Sequence, residues 1–204
     1  MCQKWRQLAW ATPQLWSSIV VGPREAPLEL IAKWLERSAT LPLTIRFYDV
    51  LGQHDGVSPI LNKHSARWYD IHLDIPPTYF PGFYGSEEEN ILHRLVLCSS
   101  APRLKYTDPP KFIMKSEPRP TDLSLLGVSL SWVDIIWNNL TVASVSRIDG
   151  RAPLLRTFRM QEIDSLPGIR IVHPHLHSLE LLHMNDRRAS VGFLNSVGFP
   201  SLQQ

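Results

Sequence analysis

The feature that most restricts the fold of this chain is a spacing of large apolar residues that occurs three times. The first copy is Trp68-Tyr69-Asp70-Ile71-His72-Leu73, and the others cover 155–160 and 176–181. In each copy the large apolar residues stand at positions 1, 4 and 6. Apolar and polar residues interleaved over so short a segment suit a β-strand that is buried on one face. The chain is therefore predicted to contain short strands that recur along the sequence.

Proline supplies a second, independent repeat. Pro-x-Leu triplets occur at 102–104, 153–155, 174–176 and 200–202, and their starting positions differ by 153 − 102 = 51, 174 − 153 = 21 and 200 − 174 = 26. Steps of 21 and 26 fall within the period of about 20–29 residues that leucine-rich repeats have, and 51 is about two such units. Proline suits the junction into a strand because it cannot continue a helix and is tolerated at the first position of a strand.

These two patterns predict an α/β fold, with a helical N-terminal segment followed by an irregular solenoid similar to leucine-rich repeats. Strands are expected near 43–47, 68–73, 155–160 and 177–182. The alternative is a compact α+β domain without stacked repeats. Parallel pairing of the strands would favour the solenoid, and antiparallel hairpins would favour the alternative.

Helices are predicted in four places. The first ends near Ala11, after which Pro13 opens a short turn that reaches Ser18, and the second covers 27–38. The spacing of Ser86 and Glu89 is that of a capping box before a third helix, and Thr141 can cap a fourth. Two stretches rich in proline and aromatic residues, 74–85 and 107–120, are expected to be irregular loops.

Composition and charge exclude several classes of protein. No apolar run approaches the ~18 residues of a spanning helix, and the first residues do not form a signal peptide, so an intracellular chain without a membrane partner is expected. Cys2 and Cys98 are too few for a disulfide framework. A net charge of +2 without a concentrated basic stripe gives no reason to expect nucleic acid.

Motifs for catalysis and cofactor binding are missing from the sequence. It contains neither a Gly-x-Ser-x-Gly elbow nor a glycine-rich phosphate loop, so no enzyme, no catalytic residue and no cofactor is predicted. Four histidines cluster at His173, His175, His177 and His183. Because no carboxylate or cysteine completes a site at metal-ligand spacing there, no metal is predicted either. A metal-dependent enzyme remains the least favoured interpretation.

The N-terminal residues resemble the end of the F-box domain in F-box proteins of mushroom-forming fungi. The resemblance rests on Cys2-Gln3-Lys4-Trp5-Arg6-Gln7-Leu8-Ala9 followed by Thr12-Pro13-Gln14-Leu15-Trp16. Further blocks similar to that family are Trp34 to Thr44, Arg67-Trp68, Ser100 to Leu104, His173 to Leu181 and Phe199 to Leu202. The stretches 74–90 and 107–131 match the family poorly.

The resemblance implies a non-catalytic substrate receptor of a cullin-type ubiquitin ligase, which docks on a Skp-type adaptor and captures another protein. It assigns 1–22 to the C-terminal remnant of an F-box and 23–204 to a leucine-rich-repeat-like region. The residues that would face the adaptor or form the F-box core are Trp5, Arg6, Leu8, Pro13, Leu15 and Trp16. The family's leading leucine-proline segment is absent and the chain ends within an expected strand, so a piece of a longer receptor is expected.

A surface for a protein partner follows from the predicted strands. If they stack in parallel, the residues between the inward apolar ones point to the opposite, concave face of the sheet. The residues predicted for this surface are Asp70, His72, Thr157, Arg159, Ser178 and Glu180. A truncated repeat scaffold that binds a partner without recruiting a ligase is the alternative function.

Overall fold

The fold is described by a computed structural model, which covers residues 2–22, 27–49, 56–99, 110–128, 132–145, 156–161, 171–172, 178–182 and 197–198. Three short α-helices lie in the N-terminal third. They are α1 (Gln3–Trp10), α2 (Leu28–Arg37) and α3 (Val57–Asn62). Short 3₁₀ segments cover Pro13–Trp16, Ser65–Arg67, Pro77–Gly82 and Trp137–Asn139.

Twelve strands are found in the described part of the chain. The longer ones are β1 (Ser18–Val21), β2 (Leu43–Tyr48), β3 (Trp68–Asp74), β4 (Arg94–Cys98), β6 (Asp122–Leu126), β8 (Val142–Val145), β9 (Thr157–Gln161) and β11 (Ser178–Leu182). Four strands have only two residues: β5 (Phe112–Ile113), β7 (Val133–Asp134), β10 (Ile171–Val172) and β12 (Val197–Gly198).

The eight longer strands form one sheet in the order β1, β2, β3, β4, β6, β8, β9, β11. Every pairing within it is parallel, and neighbouring strands follow the order of the chain. The starting positions of its first five strands differ by 43 − 18 = 25, 68 − 43 = 25, 94 − 68 = 26 and 122 − 94 = 28. The α/β prediction is therefore confirmed, and all four predicted strands are present with bounds shifted by at most two residues.

The sheet is built on alternation. In β2, Leu43, Ile45 and Phe47 are buried, whereas Arg46 between them is exposed. Buried residues of β1, β3, β4, β6 and β8 lie in the same core cluster, which places them on one face of the sheet, whereas Val96 and Cys98 of β4 are buried on the opposite face. Burying a large aliphatic side chain stabilises a fold by roughly 1.5–3 kcal/mol, so this face supplies most of the stability of the sheet.

The apolar spacing at positions 1, 4 and 6 of the first repeat has a local explanation. Leu43 pairs with Trp68 but Thr44 pairs with Asp70, so the register shifts by one residue at Tyr69. This extra residue returns the alternation to phase, and both Trp68 and Ile71 are 1% exposed on the core face. Tyr69 is 42% exposed, and its ring stacks on that of His93 at a centroid distance of 5.1 Å.

A second layer covers the apolar face. The amphipathic helix α2 buries Ile31 and Leu35 in the shared core, and α3 adds Val57 and Leu61. Farther along the chain the short parallel pair of β5 and β7 contributes Phe112 and Val133 to the same core. No helix in the described part of the chain is long and apolar enough to cross a membrane.

Arg67 closes the C-terminal end of α2, where carbonyl groups lack partners within the helix. Its guanidinium donates to the hydroxyl of Ser38 at 3.0 Å, to the carbonyl of Leu35 at 3.2 Å and to the carbonyl of Ala39. The Ser38 hydroxyl is fully buried and itself donates to the Leu35 carbonyl at 2.6 Å. One side chain thus ties the residue before β3 to the end of α2.

The structure corrects two of the predicted helices. Arg94–Cys98 and Val142–Val145 are strands, so the helices expected after Ser86 and Thr141 are wrong there. The residues 83–93 and 110–111 are irregular. Residue 22, the expected end of the F-box remnant, falls just after β1, whose Ile19 and Val21 belong to the shared core. The Pro-x-Leu triplets lie outside the described residues.

Candidate protein-interaction surfaces

The N-terminal segment is folded on itself by two hydrogen bonds. The indole N–H of Trp16 donates to the carbonyl of Ala9 at 2.7 Å, and the hydroxyl of Thr12 donates to the carbonyl of Leu8 at 2.7 Å. These bonds fasten the 3₁₀ turn against α1 at the corner where Pro13 begins the turn. The predicted helix, corner and turn are thus confirmed.

Arg37 holds this segment against α2. Its guanidinium carbon lies 4.8 Å from the centroid of the Trp16 ring and 5.4 Å from that of Trp10. A cation over an aromatic ring contributes about 0.5–1 kcal/mol at an exposed site. The corner therefore has a defined attachment to the body of the fold, although α1 itself buries no residue.

Several apolar side chains of this segment face solvent. Trp5 is 65% exposed, Leu8 56% and Leu15 62%, and Trp10 adds a fourth at 51%. Of the other residues predicted for this surface, Arg6 is exposed while Pro13 and Trp16 are partly buried. Large apolar side chains gathered at one place on a surface mark an interaction site more often than a defect of packing. Trp5 and Leu8 therefore do not belong to the core of the described fold.

A second candidate surface is the polar face of the sheet, on the side opposite the shared core. The register places residues in rows that cross the strands. One row contains Thr44, Asp70, Arg94, Asp122, Val142, Thr157 and Ser178. The next contains Val20, Arg46, His72, Val96, Ser124, Ser144, Arg159 and Glu180. All six residues predicted for a partner surface fall in these two rows.

The charges on this face are mixed and partly paired. The Nε atom of Arg94 lies 3.4 Å from Oδ2 of Asp122, and their side chains are 46% and 30% exposed. An ion pair with this much solvent contributes less than about 1 kcal/mol, so it orders the two side chains without adding much stability. The opposite signs within one row disfavour a long polyanion such as nucleic acid.

A small cluster of aromatic and titratable groups lies on β2, β3 and β4 of the polar face. The Sγ atom of Cys98 is 3.5 Å from Nε2 of His72, and the His72 ring packs at 5.3 Å against the ring of Tyr48. Burial, with a smaller effect of the Asp74 charge, raises the pKa of the Cys98 thiol to about 11. Burial also lowers the pKa of His72. At neutral pH both groups are therefore uncharged, which makes the thiol a poor nucleophile.

Three residues of this face were not predicted. The alternation over Leu43 to Phe47 already puts Arg46 on the polar face, and extending it by one residue adds Tyr48. Cys98 lies on a strand whose sequence is also compatible with a helix. Because a helix was predicted there, Cys98 was not expected on the sheet. The histidine cluster at 173–183 lies outside the described residues. Within the described ranges no group of three histidine, cysteine or acidic side chains could hold a metal ion.

A cleft lies beyond the carboxyl ends of β2 and β3. Its cavity volume is about 210 Å³, and its lining includes Phe47, Asp49, Ile75, Tyr79 and Phe83. Ligand pockets usually span about 300–1,000 Å³. The cleft is smaller than that, so the two extended surfaces are the stronger candidates for recognition.

Comparison with known proteins yields no relative of this chain. It matches no protein-family model, no curated protein and no solved structure.

Proposed function

We propose that this chain is a non-catalytic protein-interaction module that resembles an F-box substrate receptor of a cullin-type ubiquitin ligase. In this proposal the segment 2–22 forms the end of an F-box and contacts a Skp-type adaptor. The polar face of the sheet binds the protein to be ubiquitylated. The strand region is an irregular solenoid similar to leucine-rich repeats.

The order and spacing of the strands support a solenoid. Neighbouring parallel strands that follow the order of the chain need a crossover connection between each strand and the next. The first four steps between strand starts, of 25, 25, 26 and 28, fall within the period of about 20–29 residues that is typical of leucine-rich repeats. The later steps, 142 − 122 = 20, 157 − 142 = 15 and 178 − 157 = 21, are shorter, which fits an irregular array.

The observation that carries the binding function is the difference between the two faces of this sheet. One face is covered by α2, α3, β5 and β7, whereas the other presents Thr44, Arg46, Asp70 and His72 at least partly to solvent. Stacked repeats use such an open face to bind extended partners. The mixture of charge and hydrogen-bonding groups suits a protein partner better than an apolar or polyanionic one.

The exposed aromatic residues of α1 support a second contact. Aromatic anchors such as tryptophan contribute a large share of the binding energy at protein interfaces. Trp5 and Leu8 are available for that role because the described fold does not bury them. Lys4 and Arg6 are the only charged residues of 2–22, so a partner with acidic groups would complement this surface.

Binding to a purified Skp-type adaptor tests the proposal. The wild-type chain is expected to bind, and the double variant Trp5→Ala/Leu8→Ala is expected to bind at least tenfold more weakly. Ile91→Ala is the matched control, since Ile91 is 49% exposed but lies outside the segment 2–22. If the wild-type chain fails to bind the adaptor, the ligase role is refuted and the alternative of a scaffold that recruits no ligase is favoured.

A further inference from the structure

The polar face ends at β1, and the side chains there differ from those farther along the sheet. Val20 pairs in register with Arg46, and Arg46 pairs with His72. The ring of Tyr48, two residues after Arg46 on the same face of β2, lies against that of His72. We call these four residues, Val20, Arg46, Tyr48 and His72, the edge patch. It combines an exposed aliphatic group, a cation and two aromatic rings.

Arg46 differs in its partners from Arg94, an arginine farther along the same face. Arg94 has an ion pair with Asp122 in the next strand. The Arg46 side chain is exposed, and within the described part of the chain its guanidinium has neither an ion pair nor a hydrogen-bond partner. Its in-register neighbours are Val20, which is apolar, and His72, whose pKa is lowered by burial. A cation in these surroundings is open to an external anion.

The kind of anion is limited by the other charges of the face. Asp70, Asp74 and Asp122 lie on the same face of the neighbouring strands, so from β1 to β6 this face has three carboxylates against two arginines. A polyanion laid across the strands would meet these carboxylates, and like charges in proximity are destabilising. A single carboxylate placed over Arg46 avoids that cost. It also matches the planar fork of a guanidinium, which binds carboxylates with two parallel hydrogen bonds.

Because Val20 and Arg46 are paired on adjacent strands, their positions are separated by the strand spacing of about 5 Å. Val20 is 59% exposed, so an aliphatic side chain packed on it would remove apolar surface from water. We propose that the edge patch binds an extended acidic segment of a protein partner, with an Asp or Glu carboxylate on Arg46 and a neighbouring aliphatic side chain on Val20. This inference rests on the proposed function, for which it specifies the chemistry of the bound segment.

Selection from a displayed library of random 12-residue peptides tests this proposal. Peptides enriched on the wild-type chain are expected to contain an Asp or Glu next to an aliphatic residue. One such peptide, synthesised and titrated, should bind Arg46→Glu at least tenfold more weakly than wild type. Changing its acidic residue to Lys should recover binding to Arg46→Glu. Arg119→Glu is the matched control, because it makes the same charge change at an exposed residue between β5 and β6, outside both proposed surfaces, and should leave binding unchanged.

The outcomes separate this inference from the function on which it rests. Enriched peptides without an acidic preference, or undiminished binding to Arg46→Glu, would overturn the edge patch and leave a protein-binding sheet intact. A library that yields no binder on any variant would count against both proposals. Equal thermal unfolding of wild type and Arg46→Glu is the control for folding, since an exposed substitution of this kind leaves stability nearly unchanged.

Discussion

Two regions of the molecule carry closely spaced large apolar residues and use them in opposite ways. In β3, Trp68 and Ile71 are each 1% exposed, whereas in α1 Trp5 and Leu8 are 65% and 56% exposed. The strand lies between β2 and β4 and is backed by the helical layer, while α1 touches the fold through its own 3₁₀ turn and Arg37. Periodicity therefore tells which residues share a face but not whether anything covers that face.

The largest contrast between the two regions is expected in stability. Ile71→Ala removes buried methyl groups from the core face and should lower the free energy of unfolding by about 2–5 kcal/mol. Leu8→Ala removes an exposed side chain of similar size and should change it by about 0.5 kcal/mol or less. Urea denaturation of both variants measures the difference. A similar loss for both would mean that α1 contributes to the core.

The two cysteines allow the same two regions to be compared by thiol reactivity, because Cys2 precedes α1 and Cys98 ends β4. Cys2 is exposed, whereas Cys98 is buried with a thiol pKa of about 11. At pH 8 only about one Cys98 thiol in a thousand is ionised, and the thiolate is the reactive form. Iodoacetamide should therefore modify Cys2 at least a hundredfold faster, as followed by mass spectrometry. Equal rates would show that Cys98 is open and activated, and would reopen the question of catalysis.

Removing the link between α2 and β3 should have the next largest effect. Arg67→Ala deletes charged hydrogen bonds to the Leu35 and Ala39 carbonyls and to the Ser38 hydroxyl, and is expected to cost about 2 kcal/mol. Arg94→Ala, which removes an exposed ion pair from the sheet, is the control and should cost less than about 1 kcal/mol. Thermal or urea unfolding compares them. Equal costs would contradict the structural role of Arg67.

The smallest effect expected is a dependence of stability on pH. Burial, with a further contribution from Arg67, lowers the pKa of His64, whose Nδ1 lies 3.1 Å from the Arg67 guanidinium. The folded chain resists protonation of His64 more than the unfolded chain, whose pKa is about 6.5. The contribution of uncharged His64 to the free energy of unfolding is complete above pH 6.5 and is lost as the pH falls through the lower pKa of His64 in the folded chain. His64→Gln should reduce the loss of stability between pH 7.5 and 5, whereas an unchanged pH profile would contradict this assignment.

Much of the sheet could be predicted from local patterns. The alternation over Leu43 to Phe47 and the spacing of Trp68, Ile71 and Leu73 each identified a strand correctly. Around β4, however, Ile91, Leu92, Leu95 and Val96 also fit a helical stripe, and the strand period of Leu95 and Leu97 was outweighed by the capping-box spacing before it. In the fold this segment is a strand because it pairs with β3 on one side and β6 on the other, and such non-local contacts cannot be read from a short window of sequence.

For the candidate surfaces, the residues of the polar face could be predicted from the sequence, whereas the exposure of α1 could not. Alternation placed Asp70 and His72 on the polar face, and register places Arg159 and Glu180 in the same row as His72. The exposure of Trp5 was not predictable, because a tryptophan at helical spacing is equally compatible with a core. The contact between His72 and Cys98 depends on the register of two strands that lie 26 residues apart in the chain.

The central claim is that α1 and its 3₁₀ turn form a contact surface distinct from the core of the sheet. Hydrogen–deuterium exchange of the chain with and without a purified Skp-type adaptor tests it most directly. The expected result is strong protection of β2 to β6 in both states, with new protection on adaptor binding confined to residues 3–16. Protection of residues 3–16 in the free chain equal to that of the strands, or no change there in the complex, would contradict the claim.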